Sequence, residues 1–273
     1  MKNRTIIIAA TALLLASAGC SDQLPTADSM ADVPDRESAN WQDSVSSYSD
    51  QARRGDGIAY LKLASCYHDG RGVTPDFLMT YEMASMAEQY GAVTRWKDYF
   101  LSLPADDPYR LTLEAMDDAH ASRYADALSK AERLAELHSP DAELIKGCVA
   151  LDKNEEHEAM AFFAAAAAAG SSLAQMAVIS AEDSSCAEEA IASRLPSFYC
   201  IMARNCFSAD YSPEEDEQAA HYYKMADDRL CLDRTGVRWL LAYYEHQAKA
   251  GRPVADSLTI ARLRLMASRL RQY

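Results

Sequence analysis

The stretch GDGIAYLKLASCYHDGRGVTPDFLMTYEMASMAEQYG, residues 55–91, decides the fold. Ala59, Leu63 and Tyr67 recur at helical spacing and share one face. Pro75 and the glycines Gly70 and Gly72 fall after that segment, not inside it. A phosphate-cradling loop would need a third glycine or a following Gly-Lys-Ser/Thr, and a strand before it. Gly70-Arg71-Gly72-Val73 has neither. His68 and Asp69 have no second histidine or cysteine three or four residues on, so they do not read as a metal site. Glycine supplies positive φ, so Gly70 ends one helix, Gly72 aims the chain at the next, and Asp76 opens it. The stretch is an elbow between two helices.

The same pattern continues outward. From Gly55 onward Ala, Leu, Met, Glu and Lys dominate, and apolar residues recur at three and four. Ala219, Tyr222, Tyr223 and Ala226 form another such set. Roughly ten to twelve helices joined by short turns are predicted, packed as antiparallel hairpins. The fold class is all-α.

Residues 55–91 resemble a Sel1-like repeat, the helix-turn-helix unit related to TPR repeats. Ala59, Leu63, Ala64 and Tyr67 occupy the signature positions of the first helix, with Ala64 in place of the usual glycine. Gly70, Gly72, Val73 and Asp76 match the turn, and Ala87 and Gly91 the second helix. Met83 and Ala84 stand where an aromatic pair is usual. Two weaker copies follow. In the first, Ala142 and Gly147 are followed by Ala159, Phe162, Phe163, Ala166, Ala167 and Gly170. In the second, Met202 and Ala203 are followed by Ala219, Tyr222, Tyr223 and Ala226. The resemblance implies a right-handed superhelical solenoid of antiparallel hairpins over 54–273, with a concave face able to bind a partner.

The first nineteen residues read as a secretory signal: Lys2 and Arg4 precede an apolar run from Ile6 to Leu15. Ser17-Ala18-Gly19-Cys20 resembles the lipobox of bacterial lipoproteins, with Ser17 in place of the usual leucine. That resemblance implies cleavage before Cys20, lipidation of its thiol, and a membrane-anchored lipoprotein of a Gram-negative envelope, at the outer membrane on its periplasmic face or the cell surface. Residues 20–53, rich in Ser, Asp and Pro, read as a flexible tether. The formal net charge is −14, and loss of Lys2 and Arg4 makes it two units more negative. Nucleic acid is therefore not an expected partner, and the membrane is reached through the lipid alone.

Six cysteines remain after Cys20. Cys200 near the start of one helix and Cys231 just past its antiparallel partner fall at the same end of a hairpin, a first candidate bridge. Cys186 with Cys206 is a second, and six reduced, buried thiols are the alternative. The cluster Asn154 to Glu158 lacks the HExxH zinc pattern and falls at a helix start. The Asp pairs 106/107, 117/118 and 227/228 read as helix ends or solvated faces. No catalytic constellation, metal site or cofactor is predicted. Tyr222, Tyr223, Tyr243 and Tyr244 are candidate ligand contacts, with at least one of each pair expected in the core. The expected function is a lipid-anchored scaffold binding another envelope protein or peptide. The alternative is a glycan-binding protein, or an enzyme processing cell-wall or glycan material, on a helical scaffold.

Overall fold

The computed structural model describes residues 40–181, 187–207, 213–252 and 255–270. The described residues are all-helical, with fourteen helices that pack largely on their neighbours in sequence, as in a helical repeat. They fall into two compact units, one of the described residues within 100–194 and one that joins residues 40–99 to the described residues within 195–270. No described helix is long and apolar enough to cross a membrane.

In the two-segment unit, α1 (Trp41–Ala52), α2 (Gly57–Asp69) and α3 (Phe77–Gln89) come first, followed by most of α4 (Trp96–Ser102). The α2–α3 hairpin is the predicted elbow. Asp56 caps α2, accepting from the N–H of Ile58 (3.0 Å) and Ala59 (3.3 Å). Gly70 ends α2 in the left-handed region (φ 69°). Asp76 caps α3 by accepting from Met79 N–H at 3.1 Å. Gly72 (φ 73°) has a second requirement: a Cβ there would lie 2.7 Å from the backbone of Trp41.

That contact marks a difference from the expected tether. Near its end, Trp41–Ala52 form α1. Serine and aspartate favour no helix here, so the helix owes its existence to docking. The Arg71 guanidinium lies over Trp41 (5.1 Å), Lys62 over Tyr48 (5.1 Å), and Ala52 is fully buried.

The same unit continues with α11 (Phe198–Asn205), α12 (Pro213–Asp228), α13 (Arg234–Lys249) and α14 (Ser257–Arg269). Helix α3 reaches two of their starts. Glu82 accepts from Ser197 N–H (3.1 Å) ahead of α11, and Gln89 accepts from Arg234 N–H (2.7 Å) at the start of α13. Helix α14 returns to the beginning of the chain. Arg262 donates to the Arg53 carbonyl (3.2 Å) and pairs with Asp227, while Arg269 donates to the Arg54 carbonyl (3.0 Å). Tyr60 and Tyr90 stack in this core with centroids 5.5 Å apart.

The 100–194 unit holds α5 (Pro108–His120), α6 (Tyr124–Glu136), α7 (Asp141–Asp152), α8 (Glu156–Ala168), α9 (Ser172–Ala181) and α10 (Ala187–Arg194). Besides pairing in sequence, α7 packs on both α5 and α9. These three helices start roughly 30 residues apart, within the range of helical repeats. A buried carboxylate ties them together. Asp141 at the start of α7 accepts from Thr112 Oγ1 of α5 (3.2 Å) and from Ser171 Oγ ahead of α9 (2.6 Å). Ser171 in turn accepts from Ala174 N–H (3.1 Å), so one chain of hydrogen bonds caps α9 and aligns the row.

The α7–α8 crossing depends on Gly147. A Cβ there would come within 2.5 Å of the Phe163 ring, which is fully buried. Helix α8 starts just after Asn154–Glu155, as the sequence suggests, and Asn154 takes the left-handed conformation (φ 67°) that glycine takes in the first hairpin. Gly147→Val should therefore lower stability by about 2 kcal/mol. Gly147→Ala should cost less, because alanine returns about 1 kcal/mol of helix propensity. Denaturant unfolding followed by helical circular dichroism measures both; equal stability of Gly147→Val and wild type would contradict the packing.

Candidate functional site

Helix α13 sets the candidate surface. Asp233 caps it by accepting from Gly236 N–H (2.7 Å) and also pairs with Arg204 of α11, which ties α11 to the start of α13. Gly236 lies against α12: a Cβ would fall 2.8 Å from the Tyr223 ring and 2.6 Å from Leu232. This close approach puts Tyr223 in the core at 1 % exposure, with Val237, Leu240 and Tyr244 buried along α13. One helical step around, Trp239 and Tyr243 lie one turn apart and half-buried.

Four rings meet there. Trp239 stacks on Tyr243 (5.2 Å, 10° between planes), with Tyr223 against it at 5.3 Å and Phe207 at 5.6 Å. Phe207 is 37 % exposed, high for a phenylalanine held by other rings. Burial raises the Tyr243 hydroxyl above its ordinary range, and the nearby carboxylates of Glu217 and Asp216 push it the same way. Tyr243 therefore stays neutral, with an acidic helix start beside it. The first turn of α12 carries Glu214, Glu215 and Asp216.

The four tyrosines named from sequence divide between core and surface. Tyr223 and Tyr244 are buried, while Tyr222 and Tyr243 are half-buried. Tyr222 belongs to a different ring contact: it stacks on Tyr199 (6.4 Å), which carries the Arg229 guanidinium at 5.2 Å. Trp239 and Phe207, the centre and edge of the patch, were not singled out in the sequence. Trp239 follows Gly236 by three residues and precedes Tyr243 by four, a spacing that could have pointed to it.

A second cluster lies in the core of the same unit. Glu82 of α3 is 1 % exposed and faces the start of α11 and the turn after α12. Burial pushes its carboxyl up to about 7, although hydrogen bonds from Ser197 and from the Cys231 thiol oppose the shift. Cys200 donates to the Cys231 carbonyl (3.5 Å) and accepts from Asp233 N–H (3.5 Å), while Cys231 Sγ faces the Arg229 carbonyl (3.3 Å). The hairpin geometry thus brings Cys200 and Cys231 together, as the spacing suggested, but both thiols are free. Burial raises both well above the ordinary thiol range. Cys66, pushed up to about 11, and Cys148, to about 12, are free too. Cys206 is free and half-buried; Cys186, its expected partner, and Cys20 lie outside the described residues.

One aspartate of each pair is shown engaged in the scaffold. Asp107 caps α5 through Tyr109 N–H (2.9 Å). Burial pushes Asp118 up, but Lys130 and Arg123, each at 2.6 Å, outweigh it and hold the carboxyl below its usual range. Asp227 pairs with Arg262. Among the described residues, no three His, Cys, Asp or Glu side chains converge on a point where a metal could sit.

No family model, curated protein or solved structure matches the chain. What is defined is a class, an all-helical protein of sequentially paired helices with an aromatic surface patch and a buried acid–thiol cluster.

The Glu82 shift has a signed consequence. A carboxyl raised in the folded state binds its proton more tightly there than in the unfolded chain. Its contribution is intact below the ordinary carboxyl range and is lost as pH rises towards about 7. The loss is on the order of 3 kcal/mol. Glu82→Gln keeps the shape and should flatten the fall in stability between pH 5 and 8, making the variant the more stable protein at pH 8. Urea titrations across that range test it; an unchanged slope would show that Glu82 does not carry the shift.

Proposed function

We propose that this chain is a lipid-anchored protein of a Gram-negative envelope, its Sel1-like hairpins stacked as a solenoid, that binds a basic, partly apolar segment of another polypeptide. The single observation that carries the binding reading is the half-exposed patch of Phe207, Trp239 and Tyr243. Trp and Tyr dominate the energetic centres of protein interfaces because they bring large rigid area with few rotatable bonds. Charge argues for a basic partner. The chain carries a net −14, and acidic Glu217 and Asp216 lie close enough to Tyr243 to shift its hydroxyl. An arriving Lys or Arg would find both carboxylates and ring faces. A glycan platform needs aromatic faces laid open side by side. Trp239 and Tyr243 instead cover one face of each other, which favours a polypeptide.

Photo-crosslinking in cells from a position beside the patch, followed by identification of captured species, tests the reading. The expected product is a polypeptide adduct. Trp239→Ala and Tyr243→Ala should each weaken binding of the captured partner roughly 30-fold, equivalent to about 2 kcal/mol. Thermal melts confirm that both variants are folded. Capture of polysaccharide and no polypeptide would sink this reading.

The anchor has its own test. Wild type should sediment with membranes and require detergent for release, because buried acyl chains contribute about 0.8 kcal/mol per CH₂. Cys20→Ala should be found in the soluble fraction or unprocessed. Membrane sedimentation and detergent-dependent release identical to wild type, with the leader removed, would contradict lipidation.

A further inference from the structure

Two thiols and one carboxyl from three segments meet in the core of the two-segment unit. Cys200 lies in the first turn of α11, Cys231 in the turn between α12 and α13, and Glu82 in the middle of α3. Exposure is 0 % for both cysteines and 1 % for Glu82. Cys200 Sγ sits directly against the 231–233 backbone, with the Cys231 carbonyl and the Asp233 N–H both at 3.5 Å. The Cys231 thiol faces the Arg229 carbonyl (3.3 Å) and lies close enough to the Glu82 carboxyl for each to shift the other's proton affinity. Buried cysteines are common as small hydrophobes, but an apolar role leaves Glu82 unexplained. An acid in this position costs stability at neutral pH, and its carboxyl is served by Ser197 and Cys231, neither of them a cation. Its one distinctive chemical neighbour is a thiol.

We propose that Cys200 and Cys231 are a reversible redox pair that forms an intramolecular disulfide by exchange with an external disulfide, with Glu82 taking the proton from Cys231. The step balances as follows. Ionised Glu82 accepts the Cys231 proton, and the thiolate attacks one sulfur of the external disulfide. The external S–S bond breaks, its second sulfur leaves as a thiolate, and that thiolate takes up the proton held by Glu82. Cys200 then attacks Cys231 Sγ, its proton passes to the departing sulfur, and the second external thiol is released. Two protein thiols are oxidised and one external disulfide is reduced to two thiols.

The surrounding charges bear on the pH dependence. Arg229 favours the Cys231 thiolate, whereas burial, Glu82 and Cys200 oppose it. Tyr60 and Tyr67 of α2 interact electrostatically with the same thiol, and Asp233 and Arg204 act on Cys200 in opposite directions. Burial excludes any oxidant from the closed core, so exchange proceeds from a locally opened state of the 195–206 segment. Once made, the bond fastens α11 to the start of α13, the two elements that bring Phe207 and Trp239 together. An exported protein would meet such external disulfides, and the bond would lock the hairpin after folding.

Incubation of the purified, folded full chain with oxidised glutathione, followed by alkylation of remaining thiols and peptide mass spectrometry, tests the pair. The expected product is a chain lighter by two hydrogens, carrying a peptide linked between Cys200 and Cys231 that reduced glutathione reopens. Its melting temperature should rise on the order of 10 °C, because the bond closes a long loop. The rate of bond formation should increase between pH 6 and 8, and Glu82→Gln should slow it about tenfold and flatten that increase. Glu82→Asp, which keeps a carboxylate, should be intermediate and decides the role of the acid if Glu82→Gln does not fold. Recovery of Cys200 and Cys231 as alkylated free thiols, or a bond formed only by Cys66, Cys148, Cys186 or Cys206, would overturn the pair. Wild-type rates in both Glu82 variants would overturn the role of the carboxyl.

Discussion

Paired helices in this protein approach as closely as their contact residues permit, and the permission comes from missing side chains. Gly147 admits Phe163 in one hairpin, and Gly236 admits Tyr223 and Leu232 in another. In the first hairpin alanines do the same work: Ala59, Ala64, Ala84 and Ala87 are all essentially inaccessible. Placing one ring against a bare backbone fixes the rotation of both helices about their axes. Everything else on those helices is then assigned to core or surface. Tyr223 inward puts Tyr222 on the flank, and Gly236 against α12 puts Trp239 and Tyr243 at the surface edge. The aromatic patch is thus a consequence of a crossing made several residues away.

Apolar contact alone leaves neighbouring hairpins free to slide, and buried polar groups remove that freedom. Asp141 reaches the hydroxyls of Thr112 and Ser171 from the start of α7, so α5, α7 and α9 are held in one register. In the two-segment unit α3 plays the corresponding part, with Glu82 and Gln89 accepting from backbone N–H groups ahead of α11 and α13. The two anchors differ in character. Asp141 is served by two hydroxyls, whereas burial pushes Glu82 up to about 7. A group kept at such a cost beside a thiol is a chemical resource as well as a structural one.

Local features were legible before the structure. Asp76, Gly70 and the helix start after Asn154 follow from capping and φ preferences, which act over a few residues. That at least one of Tyr222 and Tyr223 lies in the core follows from helical period, but the structure decides that it is Tyr223. Other features were not legible. Residues 41–52 carry serine and aspartate in a pattern that predicts no helix, yet Trp41 and Tyr48 dock under Arg71 and Lys62. Asp118 and Asp227 look like solvated helix ends in sequence, but each is drawn into an ion pair with residues from another element. The place of Trp239 in the patch is set only when Phe207 and Tyr243 are packed against it.

The boundary between the two kinds of knowledge lies in sequence distance. Helices, their turns and their pairing into hairpins rest on interactions between residues close along the chain, so the sequence alone determined the all-α class and the hairpin unit. Cys200 and Cys231 belong to this side too, since one hairpin brings them together. Joining residues 40–99 to residues 195–270 in one compact unit was decided only in three dimensions. That closure rests on Arg262 reaching Arg53, Arg269 reaching Arg54 and Glu82 reaching Ser197. Such pairs leave no periodic trace, because a single arginine or glutamate reads the same in solvent as in a core. Burial gives them their partners and their chemistry.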